Sequence, residues 1–312
     1  MRYITCPPPR TACKHCLRGN CAPLFNPFGI VVFKNKKAIE TINKILIFDK
    51  DNVDALFAKG LFYSCLFDKE NSFKCYDSAF NKTAKYNVYF QKARACMNLK
   101  EFKLALKCFN KVLEYDSENF ETLNEIGLCY HYSQNHDKAC QYFNNLLKIQ
   151  PDNVEILINL GDCYLGLGDF DLAMEYVDKA LNIDPNNLTG LSTKFEIYDE
   201  KGDYSNALKI INRCVEFERN LPSLILKYSL LADLGRYEDS LNGFKEIQTK
   251  EFDNWSLVQS YYSNYGYALG LMGKYEDAIK VYDEYLKDYN FPKEYIQEEK
   301  EKLTKLISKE DP

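Results

Sequence analysis

Apolar residues recur three and four positions apart along most of the chain, the spacing that lines one face of an α-helix. Leu157, Leu160, Gly161 and Tyr164 form one such stripe. No segment alternates Val, Ile or Thr with polar residues as a half-buried strand does, so the pattern predicts an all-α protein. A longer period overlies the helical one. Small residues return at Ala38, Ser72, Ala105, Ala139, Ala173, Ala207, Ser240 and Ala278, at intervals of 34, 33, 34, 34, 34, 33 and 38. Four positions after them come Phe109, Phe143, Val177, Ile211, Phe244 and Tyr282, and three further on Val112, Leu146, Ala180, Cys214 and Ile247. Gly168, Gly202, Gly235 and Gly273 follow helical stretches where a left-handed residue ends a helix without a Cβ clash. Asp169, Asp203 and Glu238 then suit the positive end of the next helix, and Pro151 and Pro185 stop the second one. Each period therefore predicts two antiparallel helices, with Gly or Ala letting their backbones approach.

This frame resembles the tetratricopeptide repeat, two helices in 34 residues, with Val154–Asn187 the clearest copy through Leu157, Gly161, Tyr164, Ala173, Ala180 and Pro185. The likeness covers residues 53–290, about seven repeats, and implies a right-handed superhelical solenoid of antiparallel helix pairs. Several positions depart from the family pattern. Leu stands at the fourth position of most repeats where the family has an aromatic. Phe195 and Tyr228 occupy a place usually kept small, so the fifth and sixth repeats are expected to pack less closely. Thr249–Ser256 stretches one interval to 38 and predicts a longer loop or helix. A repeat leaves one apolar face uncovered, so both ends need closing. Residues 34–52 supply a capping helix through Lys36–Phe48 (Ala38, Ile39, Ile42, Ile45, Leu46), and 291–312 a solvating one. In the latter Ile296, Leu303, Leu306 and Ile307 face inward and Glu294, Glu298, Glu299 and Glu301 face water.

Charge separates the ends of the chain. The first 50 residues hold nine Lys and Arg against Glu40 and Asp49, a net of +7, while the rest carries −12. An acidic body disfavours nucleic acid and anionic lipid along its length, and leaves the question open only for the basic head. No stretch of about 18 uncharged apolar residues exists, so no membrane span is expected. The start of the chain lacks the apolar core of a secretory signal, which points to a cytoplasmic protein whose twelve cysteines are reduced or metal-bound.

Four of those cysteines cluster as Cys6-x6-Cys13-x2-Cys16-x4-Cys21 within the segment 1–33. Two thiolates on a tight turn reach one tetrahedral ion and two from flanking loops complete the shell, so a structural zinc knuckle is the leading expectation. An iron–sulfur cluster and a metal-free tail are the alternatives, and His15 is read as a bystander. Cys96, Cys129, Cys163 and Cys214, and with them Cys65, Cys75, Cys108 and Cys140, fall at helix positions that suit buried packing. His131 and His136 stand in no catalytic order with Ser or Cys, and His136 replaces an aromatic at a helix–helix turn. Gly166-x-Gly168 lies at a helix C-terminus with no strand before it, the wrong end for a phosphate. No catalytic constellation is legible, so the chain is not expected to be an enzyme.

The resemblance also implies a surface. In tetratricopeptide proteins the first helix of each repeat lines a concave groove at defined positions. These fall here on Phe57, Leu61, Phe90, Arg94 and Met97, then Asn124, Leu128, His131, Ile158, Asp162 and Leu165, then Ser192, Glu196, Asp199 and Glu200. The Lys, Asn and Arg set with which the family's co-chaperones hold a terminal carboxylate is absent. The groove runs from apolar to acidic and suits a protein segment with an apolar anchor and a basic stretch; a merely solvated polar groove is the plainer alternative. The expected function is a non-catalytic adaptor. The rival is a nucleic-acid-associated protein whose basic four-cysteine head touches phosphates while the repeats recruit a partner.

Overall fold

A computed structural model describes residues 30–80, 82–217, 221–247, 255–288 and 293–310. Among them are sixteen α-helices and no strand. The first is α1 (Ile30–Phe48). Seven successive pairs follow: α2 (Val53–Cys65) and α3 (Lys69–Ala79), α4 (Lys85–Asn98) and α5 (Phe102–Leu113), α6 (Phe120–Tyr132) and α7 (His136–Ile149), α8 (Val154–Leu167) and α9 (Phe170–Ile183), α10 (Leu188–Glu200) and α11 (Tyr204–Phe217), α12 (Leu221–Asp233) and α13 (Tyr237–Glu246), α14 (Trp255–Leu271) and α15 (Tyr275–Asp288). The last is α16 (Glu294–Glu310). No helix of the described residues is long and apolar enough to cross a membrane. The chain forms two compact bodies, one up to Thr193 and one from Lys194.

Each pair is stitched at the small position. Ala105, Ala139, Ala173, Ala207 and Ala278 are fully buried. Where the period has Ser instead, the hydroxyl finds the opposite helix: Ser72 Oγ donates to the Gly60 carbonyl at 2.8 Å, and Ser240 Oγ to that of Tyr228 at 2.7 Å. The bulky residue four positions on fills the crossing, with Tyr76, Phe109, Phe143, Val177 and Phe244 all buried. Gly127 admits Phe143, because a Cβ there would lie 2.6 Å from its ring.

The turn inside each pair is the same seven times over. The amide two or three residues past the end of the first helix bonds back to a carbonyl five residues earlier, as Asp68 to Tyr63, Glu101 to Cys96, Asn135 to Tyr130 and Asp169 to Tyr164. The residue between is left-handed, Gly168, Gly202, Gly235 and Gly273 in four turns but Phe67, Lys100 and Gln134 in the other three. Asp68, Asn135, Asp169 and Asp203 then cap the second helix. The connections between pairs repeat as well. Asn52, Asn119, Asn153 and Asn187 each accept an amide of the following helix and donate to the side chain three residues before, Asp49, Asp116, Gln150 and Asp184 respectively.

In the body from Lys194, Tyr228 of the sixth pair faces a glycine. Its ring packs edge-on against Phe244 with centroids 5.7 Å apart and sits over Gly243, whose Cβ would come within 2.2 Å of it. The small residue has moved from the first helix to the second. The stretched interval appears in part as length, since α14 has 17 residues; residues 249–254 lie outside the described ones. In α16, Ile296 is buried and Leu303 joins the core, and Glu294, Glu298 and Glu301 face solvent. Glu299 differs from expectation: it is largely covered and pairs with Lys302 at 2.6 Å. At the other end Ile39 and Ile42 of α1 are buried, while Ile45 is exposed.

Candidate functional site

The first helices α2, α4, α6 and α8 supply the side chains of the candidate surface in the body up to Thr193. Their neighbouring faces are joined by polar bonds that span one period. Asn98 Nδ2 donates to Ser64 Oγ at 3.2 Å, Asn124 Nδ2 to Glu155 Oε1 at 2.9 Å, and Arg94 pairs with Glu125 at 3.5 Å. Asp162 accepts a 2.9 Å bond from Thr193 Oγ1. This row fixes the register of adjacent first helices and occupies much of the polar capacity that a guest would use.

The expected lining residues divide by burial. Leu61 is 40% exposed, Arg94 and Glu200 face solvent, and Phe57, Phe90, Asn124, Leu128, Leu165 and Asp199 are half-buried. Met97, His131, Ile158, Asp162, Ser192 and Glu196 are buried, so their side chains serve the packing between helices. Met97 lies in the cluster with Phe109 and Cys96, and Ile158 packs with Leu157 and Ala180. Phe90 leans edge-on against Phe109 at 5.8 Å, with its outer edge open. His131 turns inward and shares a 3.3 Å hydrogen bond with the Cys163 thiol. Cys6, Cys13, Cys16 and Cys21 lie outside the described residues.

The electrostatics are those of an acidic patch with one cation. Burial raises the Glu125 carboxyl above its usual range; Arg94 offsets part of that, while Glu121 and Glu155 push it the same way. Glu121 and Glu155 are exposed, so the patch opens to solvent; Leu128 follows Glu125 by one turn of α6, and Phe90 precedes its partner Arg94 by one turn of α4. Glu121 and Glu125 were missed by sequence reasoning. They sit one turn apart on α6, Glu121 at a family lining position that was passed over and Glu125 outside that set.

Cysteines elsewhere behave as small apolar residues. Cys96, Cys129 and Cys214 are buried, and burial pushes the Cys129 thiol up to about 12. Such thiols are poor nucleophiles.

Three models of the tetratricopeptide repeat match residues 86–119, 118–186 and 196–221. No curated protein matches the sequence. Among solved structures, yeast Tom70 is 17% identical with a TM-score of 0.65, over 90% of this chain and 61% of that one. A tetratricopeptide repeat protein from Parabacteroides merdae is 19% identical with a TM-score of 0.58, over 81% of this chain and 98% of that one. At such identities the likeness is one of fold. Sequence models and helix pairs agree over residues 86–186 and 196–221, and these stretches of the chain are tetratricopeptide repeats.

Proposed function

We propose that the chain is a non-catalytic scaffold that holds a protein segment on the first-helix face of its N-terminal body. The acidic group Glu121, Glu125 and Glu155 beside the half-open side chains of Phe90 and Leu128 carries this assignment. The fitting segment places an apolar side chain on Phe90 and Leu128 and Lys or Arg on the carboxylates. For the basic head, the cysteine spacing supports a structural zinc knuckle, and no more than the spacing does. Selection from a displayed peptide library tests the groove. It is expected to yield segments with an apolar residue flanked by Lys or Arg, bound more weakly as salt rises. Their affinity should fall about tenfold in Glu121→Lys/Glu155→Lys, at roughly 0.7 kcal/mol per reversed charge. Selection of acidic peptides, or equal affinity in the charge-reversed variant, would place the binding surface elsewhere.

A further inference from the structure

The His131–Cys163 pair has company. The ligand atoms of His131 on α6, His136 on α7 and Cys163 on α8 all lie within 4.8 Å of one another. The two imidazole rings are 5.1 Å apart at their centroids, and the chain has three histidines in all. Cys140 stands one turn along α7 from His136, outside that group. Three helices from two successive pairs thus aim two imidazoles and one thiol at one place.

No other repeat carries an imidazole at the same registers. Where α7 begins with His136, other second helices begin with Lys69, Phe102, Phe170, Tyr204, Tyr237 and Tyr275. In place of Cys163 the first helices have Phe62, Ala95, Cys129, Ile197, Leu230 and Ala268. Cys129 repeats the thiol, but the positions that answer to His131 and His136 beside it are Met97 and Phe102. The cradle is also particular to this repeat. The His136 ring lies against Gly166, where a Cβ would come within 2.6 Å of it, and the same register carries Cys65, Asn98, Tyr132 and Glu200 elsewhere.

The donor chemistry selects the ion. No carboxylate belongs to the group, so calcium and magnesium lack their oxygen ligands, whereas imidazole and thiolate together suit zinc. A tetrahedral zinc with sulfur at about 2.3 Å and nitrogen at about 2.0 Å separates those two donors by roughly 3.5 Å. The Cys163 sulfur and His131 Nδ1 are 3.3 Å apart. We propose that His131, His136 and Cys163 form a site for a zinc-class divalent ion that clasps α6, α7 and α8. Binding releases the Cys163 thiol proton as its thiolate takes the metal.

The head cysteines compete for the same metals, so the test uses the full-length reduced chain with Cys6, Cys13, Cys16 and Cys21 changed to Ser. Cobalt(II) is expected to bind at one equivalent with the visible spectrum of a tetrahedral nitrogen–sulfur site, to be displaced by zinc, and to raise the melting temperature. His136→Phe restores the aromatic of the other repeats. It should keep the metal-free melting temperature and lose both the spectrum and the metal-induced rise. Cys163→Ala, which installs the residue found at 95 and 268, should do the same. A chain that shows no cobalt spectrum, or one whose spectrum survives both substitutions, overturns the site.

Discussion

Phe67, Lys100 and Gln134 hold left-handed backbone at φ of 57°, 58° and 64°, in the same turn that four glycines make at 71–79°. For an L-residue that conformation costs roughly 1–2 kcal/mol, and glycine returns part of the gain through its freer unfolded chain. Gln134→Gly is therefore expected to stabilise the protein by about 0.5–1 kcal/mol in urea denaturation, with Gly168→Ala moving the other way by a similar amount. An unchanged midpoint for Gln134→Gly would mean that side-chain contacts of Gln134 compensate the strain. The glycine turns were legible in the sequence because Gly announces its own φ. The three others were not, because their geometry comes from the backbone bonds that close the turn, such as Glu101 to Cys96 at 2.8 Å, which any residue type can make. The candidate site shows the same limit. Phe90 and Leu128 were read as surface and stay partly open, but Met97 and Ile158 were read the same way and are buried. A position inherited from the family gives the direction of a side chain, and its depth depends on the neighbours that pack over it. His131 and Cys163 are 32 residues apart, the first read as groove lining and the second as core; only the stacking of α6 beside α8 makes them partners.

Helix pairs were readable as elements because the small residue, the bulky residue and the turn repeat together. At the sixth pair the small residue changes sides. Tyr228 removes the small residue from α12, and Gly243 restores it on α13, one position before Phe244. Interdigitation requires one gap per crossing and is indifferent to which helix provides it. Gly243→Ala is expected to cost about 2 kcal/mol by forcing Tyr228 out of place. In a Tyr228→Ala background the same change should be neutral or stabilising, since Ala is the better helix former by roughly 0.5–1 kcal/mol. Denaturant melts of the four proteins in this cycle measure the coupling. Additive losses would show that the two residues do not share the gap.

In the body up to Thr193, α7 is packed between α6 and α8, while α1 rests chiefly on α2 and leaves Ile47 and Phe48 largely exposed, Phe48 at 91%. Arrays of this kind depend on nearest neighbours, so stability is expected to fall where a helix has one neighbour instead of two. Native-state hydrogen exchange should find the α1 amides exchanging on the order of 10–100 times faster than those of α6, α7 and α8. Equal protection throughout would mean that this body opens as one cooperative block. The asparagine connections bear on a longer timescale. Asn119 with Asp116, Asn153 with Gln150 and Asn187 with Asp184 set each junction from side chains lying within four residues of chain. A duplicated or deleted stretch of one period would therefore carry its own joinery with it, and the gene could gain or lose whole modules without inventing a new linkage.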